Sequence, residues 1–373
     1  MKILPSLLSV SLAFGYPVWA LEPLNIGIYL PLTGNLASEG QSVLHGIKIA
    51  HQLRPQVLGR EVALKVADTH SDLATAADAV FTLIEKKNVK ALIGEVTSGP
   101  TLAGSFHAER RGIPMITPTA TSPMVTRGKR YVFQTCAIDE DQASLAARLA
   151  RSRIKAGTAA LVCDLSQESS VGLVASFKQA FTRAGGRIVA ETCCKAGDRD
   201  FTAQVGRINA ADPDVVYAPI SSTECALLAR QARLMGARMP IVAGHKAQDP
   251  GLIAWGGQAV EKLWFTTPFH EGSICTERGK KFLTAYERET GSSPQAGHVM
   301  AAEAYFMLID AIERAGSAAP ARIREALSSA RDCEGLFGTM CMRANGSACR
   351  PVFVGQVKNG RFVPVAEENR PNP

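Results

Sequence analysis

An α/β architecture of two doubly wound parallel-sheet lobes is what the pattern of this chain predicts. The 373 residues exceed one ordinary domain, and the 46% apolar content suffices for two sizeable cores. Short β-branched runs alternate with longer segments of helical period. Strands that alternate with helices pair in parallel, because each crossover helix returns the chain to the same end of the sheet. Charged residues make up 20% and aromatics 6%, which excludes wholesale disorder and a base-stacking platform. The net charge of +7 is spread without a run of five or six Lys/Arg, so it implies no nucleic-acid partner.

The elements follow in order. Met1–Ala20 has one basic residue, Lys2, then an apolar stretch from Ile3 to Phe14, then Gly15, Pro17 and the small-residue end Val18-Trp19-Ala20. This layout predicts a secretory signal peptide cleaved after Ala20 and an exported mature chain from Leu21. As a membrane anchor the stretch is short of the ~20 residues that span a bilayer. Leu24–Leu30 reads as a strand, and Gln41–Leu53 as a helix with Val43, Ile47 and Ala50 on one face. Val62–Val66 and Val89–Ile93 read as strands around the helix Asp72–Lys86, whose N-cap is Asp72. A helix from about Thr101 to Arg110 and a strand at Met115-Ile116 complete the first unit.

The alternation restarts at Thr158–Cys163 and runs through the helix Val171–Ala184, the strand Arg187–Glu191 and the helix Phe201–Asn209. Asp214–Ala218, Pro240–Ala243 and Leu263–Thr266 are further strands, with the helix Thr223–Leu234 between the first two. Beyond them the chain is helical over 277–289, 298–315 and 321–330, then returns to short strands over 338–342, 352–357 and 361–365. Two open parallel sheets facing each other leave a crevice at the carboxyl ends of their strands, where ligands bind in such sheets.

Enzyme motifs are scarce. The chain has no GxxxxGK[ST] phosphate loop, no GxSxG elbow, and no GxGxxG turn after its first strand. It has no HExxH or CxxC, and the spacing of six between His45 and His51 does not put them side by side on one helical face, so no metal site and no cofactor are expected. Two strand-to-helix turns stand out instead. Gly94-Glu95-Val96-Thr97-Ser98-Gly99-Pro100-Thr101 places exposed backbone N–H groups and hydroxyls at a helix N-terminus, a setting that favours a carboxylate. Ile116-Thr117-Pro118-Thr119-Ala120-Thr121-Ser122-Pro123 adds a second hydroxyl-bearing loop. Any single Ser or Thr here also reads as a cap or turn residue; two such loops after successive strands point to joint ligand contact.

At these residues the chain resembles the periplasmic ligand-binding proteins of ABC transporters of the leucine/isoleucine/valine type, the type I periplasmic binding protein fold. The stretches IGIYLPLTGNLASEGQSVLHGIKIA, ALIGEVTSGPT, GIPMITPTATSP, DPDVVYAPISSTECALLARQARLMG and EGLFGTMCMRANG carry the resemblance in order from Leu24 to Val365. It implies a clamshell that is not an enzyme but closes on a small ligand and delivers it to an ABC permease in the inner membrane. It also implies three inter-lobe crossings, near Ile138, Phe269 and Asn345, with lobe 1 as 21–138 plus 270–345 and lobe 2 as 139–269 plus 346–373. Ser98 and Thr121 are then expected to hold the ligand carboxylate through their hydroxyls, and Thr119 to offer its main-chain carbonyl.

The departures from the family pattern concern the rest of the cleft. Glu39, Ser169 and Ser221 stand where apolar or aromatic contact is usual, and His245-Lys246 stands where an acidic residue usually meets the ligand ammonium. Two readings remain open: a polar ligand without an α-amino group, with His245 or Lys246 on a second anionic group, or a polar amino acid with Glu39 as the replacement acid. A branched aliphatic side chain fits such polar walls poorly. A monomeric transport protein is the expectation; a sensor of the same fold and an exported hydrolase are the alternatives. The nine cysteines all lie between Cys136 and Cys349, and in an oxidising compartment at least one stays unpaired in a monomer. Cys341 and Cys349, flanking one turn, are the leading pair; Cys193 and Cys194 are expected to bond elsewhere than to each other, and Cys163 to be a free core thiol.

Overall fold

Leu24–Leu30 forms β1, buried along almost its whole length, and it occupies the middle of the first sheet. The computed structural model describes residues 21–369, so the expected signal peptide lies outside the described residues. After β1 the chain forms α1 (Ala37–Leu53), β2 (Gln56–Val57), β3 (Arg60–Asp68), α2 (Leu73–Lys87), β4 (Ala91–Gly94), α3 (Ser98–Arg111), β5 (Met115–Thr117) and β6 (Val132–Gln134). Their sheet has the order β2-β3-β1-β4-β5-β6, parallel except for the β2–β3 hairpin. Asp72 caps α2 by accepting the Thr75 amide. Continuous apolar strands of this kind belong to a sheet covered on both faces.

The second sheet is built from β7 (Thr158–Asp164), β8 (Arg187–Cys194), β9 (Val215–Ala218), β10 (Ile241–Ala243) and β11 (Trp264–Thr267). The helices α4 (Asp139–Ser152), α5 (Glu168–Arg183), α6 (Thr202–Ala211), α7 (Ser222–Leu234) and α8 (Pro250–Gly256) accompany them. Next come α9 (Glu277–Thr290), α10 (Ala296–Ala315) and α11 (Pro320–Ser328), which pack on the first sheet's core. A small sheet of β12 (Cys333–Glu334), β13 (Thr339–Met342) and β14 (Ala348–Cys349) follows, then β15 (Val352–Lys358) and β16 (Arg361–Asn369). The last two join the second sheet antiparallel beside β11, giving the order β16-β15-β11-β10-β9-β7-β8.

Helix α10 is buried continuously from His298 to Ile309, as a helix apolar on all sides must be. Gly46 of α1 permits its approach: a Cβ there would sit 2.1 Å from the His298 carbonyl oxygen. No helix among the described residues is long and apolar enough to cross a membrane.

The chain passes between the sheets after β6, after β11 and before β15. The third passage lies beyond the expected Asn345. Ser347 still bridges to Gln134 of the first sheet, and Ala348-Cys349 still pair with Cys341-Met342. That pairing sets Cys341 opposite Cys349, and the two form the disulfide expected of them. Cys163 is buried and free, and Cys193 and Cys194 are not bonded to each other. Some boundaries also shift: α3 begins at Ser98 and α5 at Glu168, because their first turns are polar and carry no apolar period. Strand β6 and helix α4 give weak sequence signals, the first because it is three residues long and the second because its apolar face is mostly alanine.

Arg350 fixes the passages to one another. Its side chain is 1% exposed, donates to the Thr135 carbonyl at 3.1 Å, lies 3.5 Å from the Glu303 carboxylate, and sits 4.7 Å over the Phe337 ring. The first and third passages and α10 thus share one buried cation. Removing one member of a buried ion pair leaves the other uncompensated, which costs about 3–5 kcal/mol. Arg350→Met is expected to lower the urea unfolding free energy by about that amount, and adding Glu303→Gln to recover part of it. Equal stability of wild type and Arg350→Met would show that the pair does not hold the passages.

Candidate ligand-binding site

The turns that leave the carboxyl ends of β4, β5 and β6 meet at one edge of the first sheet. Glu95, fully buried, organises the first of them. Its carboxylate accepts the Val96 amide at 2.8 Å, the Thr97 amide at 3.1 Å and the Thr69 hydroxyl at 2.7 Å. Two amides of the turn expected to face a ligand anion are therefore engaged by the chain's own acid. Burial pushes the Glu95 carboxyl up, against those hydrogen bonds.

Ser98 begins α3 and is 5% exposed; its Oγ accepts the Ser122 amide at 3.2 Å and keeps its own proton to donate. Thr121 is equally buried, and its carbonyl accepts the Asp139 amide at 3.0 Å. The structure thus sets Ser98 against the residue next to Thr121. The Thr119 hydroxyl donates to the Val96 carbonyl at 2.7 Å and ties the two loops together, so only its main chain is free for the expected contact.

The second sheet contributes the opposite wall. Asp164, at the end of β7, is fully buried and accepts the Ser166 amide at 2.9 Å and the Gln167 side-chain amide. Gln167 Nε2 also donates to Ser221 Oγ at 2.8 Å, while the Lys246 ammonium donates to Gln167 Oε1. Ser221 and Lys246 therefore belong to one network, from the turns after β9 and β10. Burial pushes the Lys246 ammonium down, against the pull of Asp164, Glu39, Asp139 and Glu224. Glu39 is exposed on α1 and reaches Lys246 by charge. Ser169 is half-buried in the first turn of α5.

His245 is not part of this wall. Its Nδ1 lies 2.9 Å from Gln142 Oε1 of α4, and because Gln142 Nε2 donates to the Ala137 carbonyl, Oε1 accepts from the imidazole. Burial, aided by Lys246, pushes the ring down to about 3, so it is neutral and offers no charge to an anion. Of the two basic candidates, Lys246 alone joins the Gln167–Ser221 network.

Three residues that sequence reasoning missed complete the arrangement. Ser122 Oγ donates to Glu168 Oε1 at 2.9 Å and joins a first-sheet turn to α5. Asp139, the first residue of α4, is fully buried. Burial pushes its carboxyl up to about 7, against the Thr121 hydroxyl and the Lys246 charge. Asp139 and Glu168 were illegible because an acidic residue in the first turn of a helix is ordinarily a dipole partner. A cavity of about 340 Å³ lies behind the second passage, lined by Gln248, Thr267, Phe269 and Gln295 among others, and none of the residues above borders it.

The described residues contain no group of His, Cys, Asp and Glu that could hold a metal. What the geometry defines is a two-walled polar cleft at the strand ends of facing parallel sheets, suited to holding a small solute without transforming it. The chain belongs to the periplasmic binding protein family, which it matches over residues 23–361. It is a solute-binding protein, not an enzyme, of the extracytoplasmic type associated with ABC transporters. It is 30% identical over 359 residues to the Leu/Ile/Val-binding protein BraC3 of Rhizobium johnstonii, covering 95% of this chain and 96% of that one. The leucine-binding protein LivK of Thermotoga maritima superposes with a TM-score of 0.87 at 39% identity, over 92% of this chain and 98% of that chain. The substrate-binding protein LivJ of Streptococcus pneumoniae, solved in complex with isoleucine, gives 0.84 at 25% identity, over 94% and 100%.

Asp139 also makes stability depend on pH. Its folded value of about 7 lies above the ordinary 3.8, so the folded state binds the extra proton between those values and loses stability as pH rises through them. Asp139→Asn removes this dependence. Its stability gain over wild type is expected to be absent below about pH 4 and to grow to a plateau above pH 7, at most about 4 kcal/mol. Urea unfolding at a series of pH values measures it, and a gain that does not vary with pH contradicts the burial assigned to Asp139.

Proposed function

We propose that this protein captures a small polar, carboxylate-bearing ligand between its lobes and delivers it to an ABC permease in the inner membrane. The leader would direct export and be cleaved after Ala20, and the protein would act as a monomer. The observation that carries the reading is the pairing of walls: buried Ser98 and Thr121 hydroxyls on one side, and the Gln167-held Lys246 ammonium on the other. Neutral hydroxyls bind a carboxylate without burying a counter-charge that costs several kcal/mol if left unpaired. Lys246 repels an ammonium at its wall and favours a second anionic or acceptor group on the ligand. The polar lining gives an aliphatic side chain little apolar burial, which argues against leucine, isoleucine or valine as the preferred ligand here.

The mechanism is ligand-stabilised closure. Open and closed states differ by rotation of the lobes about the passages, and a ligand that touches both walls binds the closed state more tightly. The Ser122–Glu168 hydrogen bond is one contact that rotation would break.

Ser98→Ala and Thr121→Ala are each expected to weaken binding of the acid by about 1–3 kcal/mol, and Lys246→Met by a similar amount. Isothermal titration against a panel of small mono- and dicarboxylates measures this. Unchanged affinity in all three variants would refute the assignment of the walls.

A further inference from the structure

Beside the Cys341–Cys349 bond, seven of the nine cysteines are free thiols. Two of them face each other across neighbouring strands. From Ala160 onward β7 and the edge strand β8 keep one unbroken parallel register, which sets Leu161 opposite Glu191, Cys163 opposite Cys193 and Asp164 opposite Cys194. Adjacent strands lie about 4.8 Å apart, and residues paired across them project to the same side of the sheet. That spacing falls inside the roughly 4.4–6.8 Å between Cα atoms that a disulfide spans.

The side they share is the one covered by α5. Leu161 and Cys163 pack with Leu173, Val174 and Phe177 of that helix, and Glu191, two residues before Cys193, pairs with its Lys178. Cys194 turns the other way, into the core built on α6 and α7. The alternation of a strand therefore leaves Cys193, and not Cys194, on the face of Cys163. Chain neighbours are about 3.8 Å apart at Cα, short of the disulfide range, so Cys193 and Cys194 are poorly placed to bond each other. Access differs within the pair: Cys193 is exposed on the edge strand, whereas Cys163 is 8% exposed. Burial, reinforced by Cys193, pushes the Cys163 thiol up, so it rests protonated. Cys136, Cys194 and Cys225 are buried and shielded from an oxidant in solution.

We propose that Cys163 and Cys193 are a disulfide-forming pair, a covalent modification site that closes when the protein meets a disulfide oxidant outside the cytoplasm. The Cys193 thiolate attacks one sulfur of the oxidant, whose S–S bond breaks and releases one thiolate. Cys163 then gives its proton to water and attacks Cys193 Sγ, displacing the second oxidant thiolate. The two released thiolates take up the two protons that the cysteines lose, so two protein thiols are oxidised and one disulfide is reduced. The new bond ties the edge strand to β7 one residue before Asp164, the acid that accepts the Gln167 side-chain amide. The pair does not depend on which ligand the cleft takes.

Oxidised glutathione added to the folded protein tests it. The reaction is quenched with acid, free thiols are alkylated in denaturant, and the protein is digested with trypsin without reduction. Mass spectrometry is expected to find the peptide 156–178, which bears Cys163, joined to 188–195, with fragment ions placing the link at Cys193. Alkylation of Cys163 and of Cys193 should fall together, at least tenfold, relative to protein kept in dithiothreitol. Cys194→Ser should retain the link. Cys163→Ser should stop at the first step and hold glutathione on Cys193, whereas Cys193→Ser should leave Cys163 open to alkylation. Glutathione on Cys163 in that last variant overturns the order of attack. Full alkylation of both cysteines in the oxidised wild type, or a link from either to Cys194 or to a second copy of the chain, overturns the pair. The wild-type peptide map decides the question alone if a variant does not fold.

Discussion

The arrangement of this protein depends on one topological constraint: in a parallel sheet with crossover helices, every strand ends on the same edge. Both sheets obey it for the strands that matter. The turns after β4, β5 and β6 on one side, and after β7, β9 and β10 on the other, therefore open toward a common gap. Glu95, Ser98, Thr121, Asp139, Asp164, Gln167, Ser221 and Lys246 all lie at a strand's last residue, in those turns or in the first turn of the helix that follows. None is brought there by its own sequence neighbourhood alone. The helix N-termini arrive at the same gap, so partial positive charge is supplied there by backbone, and acids such as Glu95 and Asp164 are tolerated in burial because amides satisfy them.

The second requirement is that the walls stay related while remaining able to move. Among the described residues three passages connect the sheets, and Arg350 links two of them to α10 through Thr135 and Glu303. A buried cation at that place is weak evidence for stability as such, since apolar replacements can do as well. Its place here is geometric, since it ties the first and third passages to α10. Arg343 adds a second tie, with two contacts to Asp141 of α4 at 3.0 and 3.3 Å. Ser122–Glu168 is a part-buried hydrogen bond between a first-sheet turn and α5.

Much of the fold was legible in the sequence, for a physical reason. Buried parallel strands need uninterrupted apolar runs such as Ala91–Gly94 and Val215–Ala218, and the helices between them need an apolar stripe. The Cys341–Cys349 bond was legible too, because a short hairpin places its flanking residues opposite each other. Of the candidate site, Ser98 and Thr121 could be proposed from the sequence because each lies in a hydroxyl-rich turn of its own, after β4 and after β5. The interplay of Lys246 with Gln167 spans 79 residues and that of His245 with Gln142 spans 103, so nothing local could tell which of the two basic side chains turns inward. The local sequence did not show that the Glu95 side chain folds back and accepts two amides of that turn and the Thr69 hydroxyl. Asp139 looked like an ordinary acid at the start of a helix; only its burial distinguishes it.

The most direct measurement is a crystal structure of the protein purified from the periplasm with whatever small molecule it retains. The expected result is a closed cleft holding an acid whose carboxylate oxygens lie within hydrogen-bond distance of Ser98 Oγ and Thr121 Oγ1, with Lys246 on the opposite face of the molecule. A bound ligand without an acidic group, or one whose carboxylate sits away from both hydroxyls, would contradict the reading of the cleft from which the proposed function is drawn.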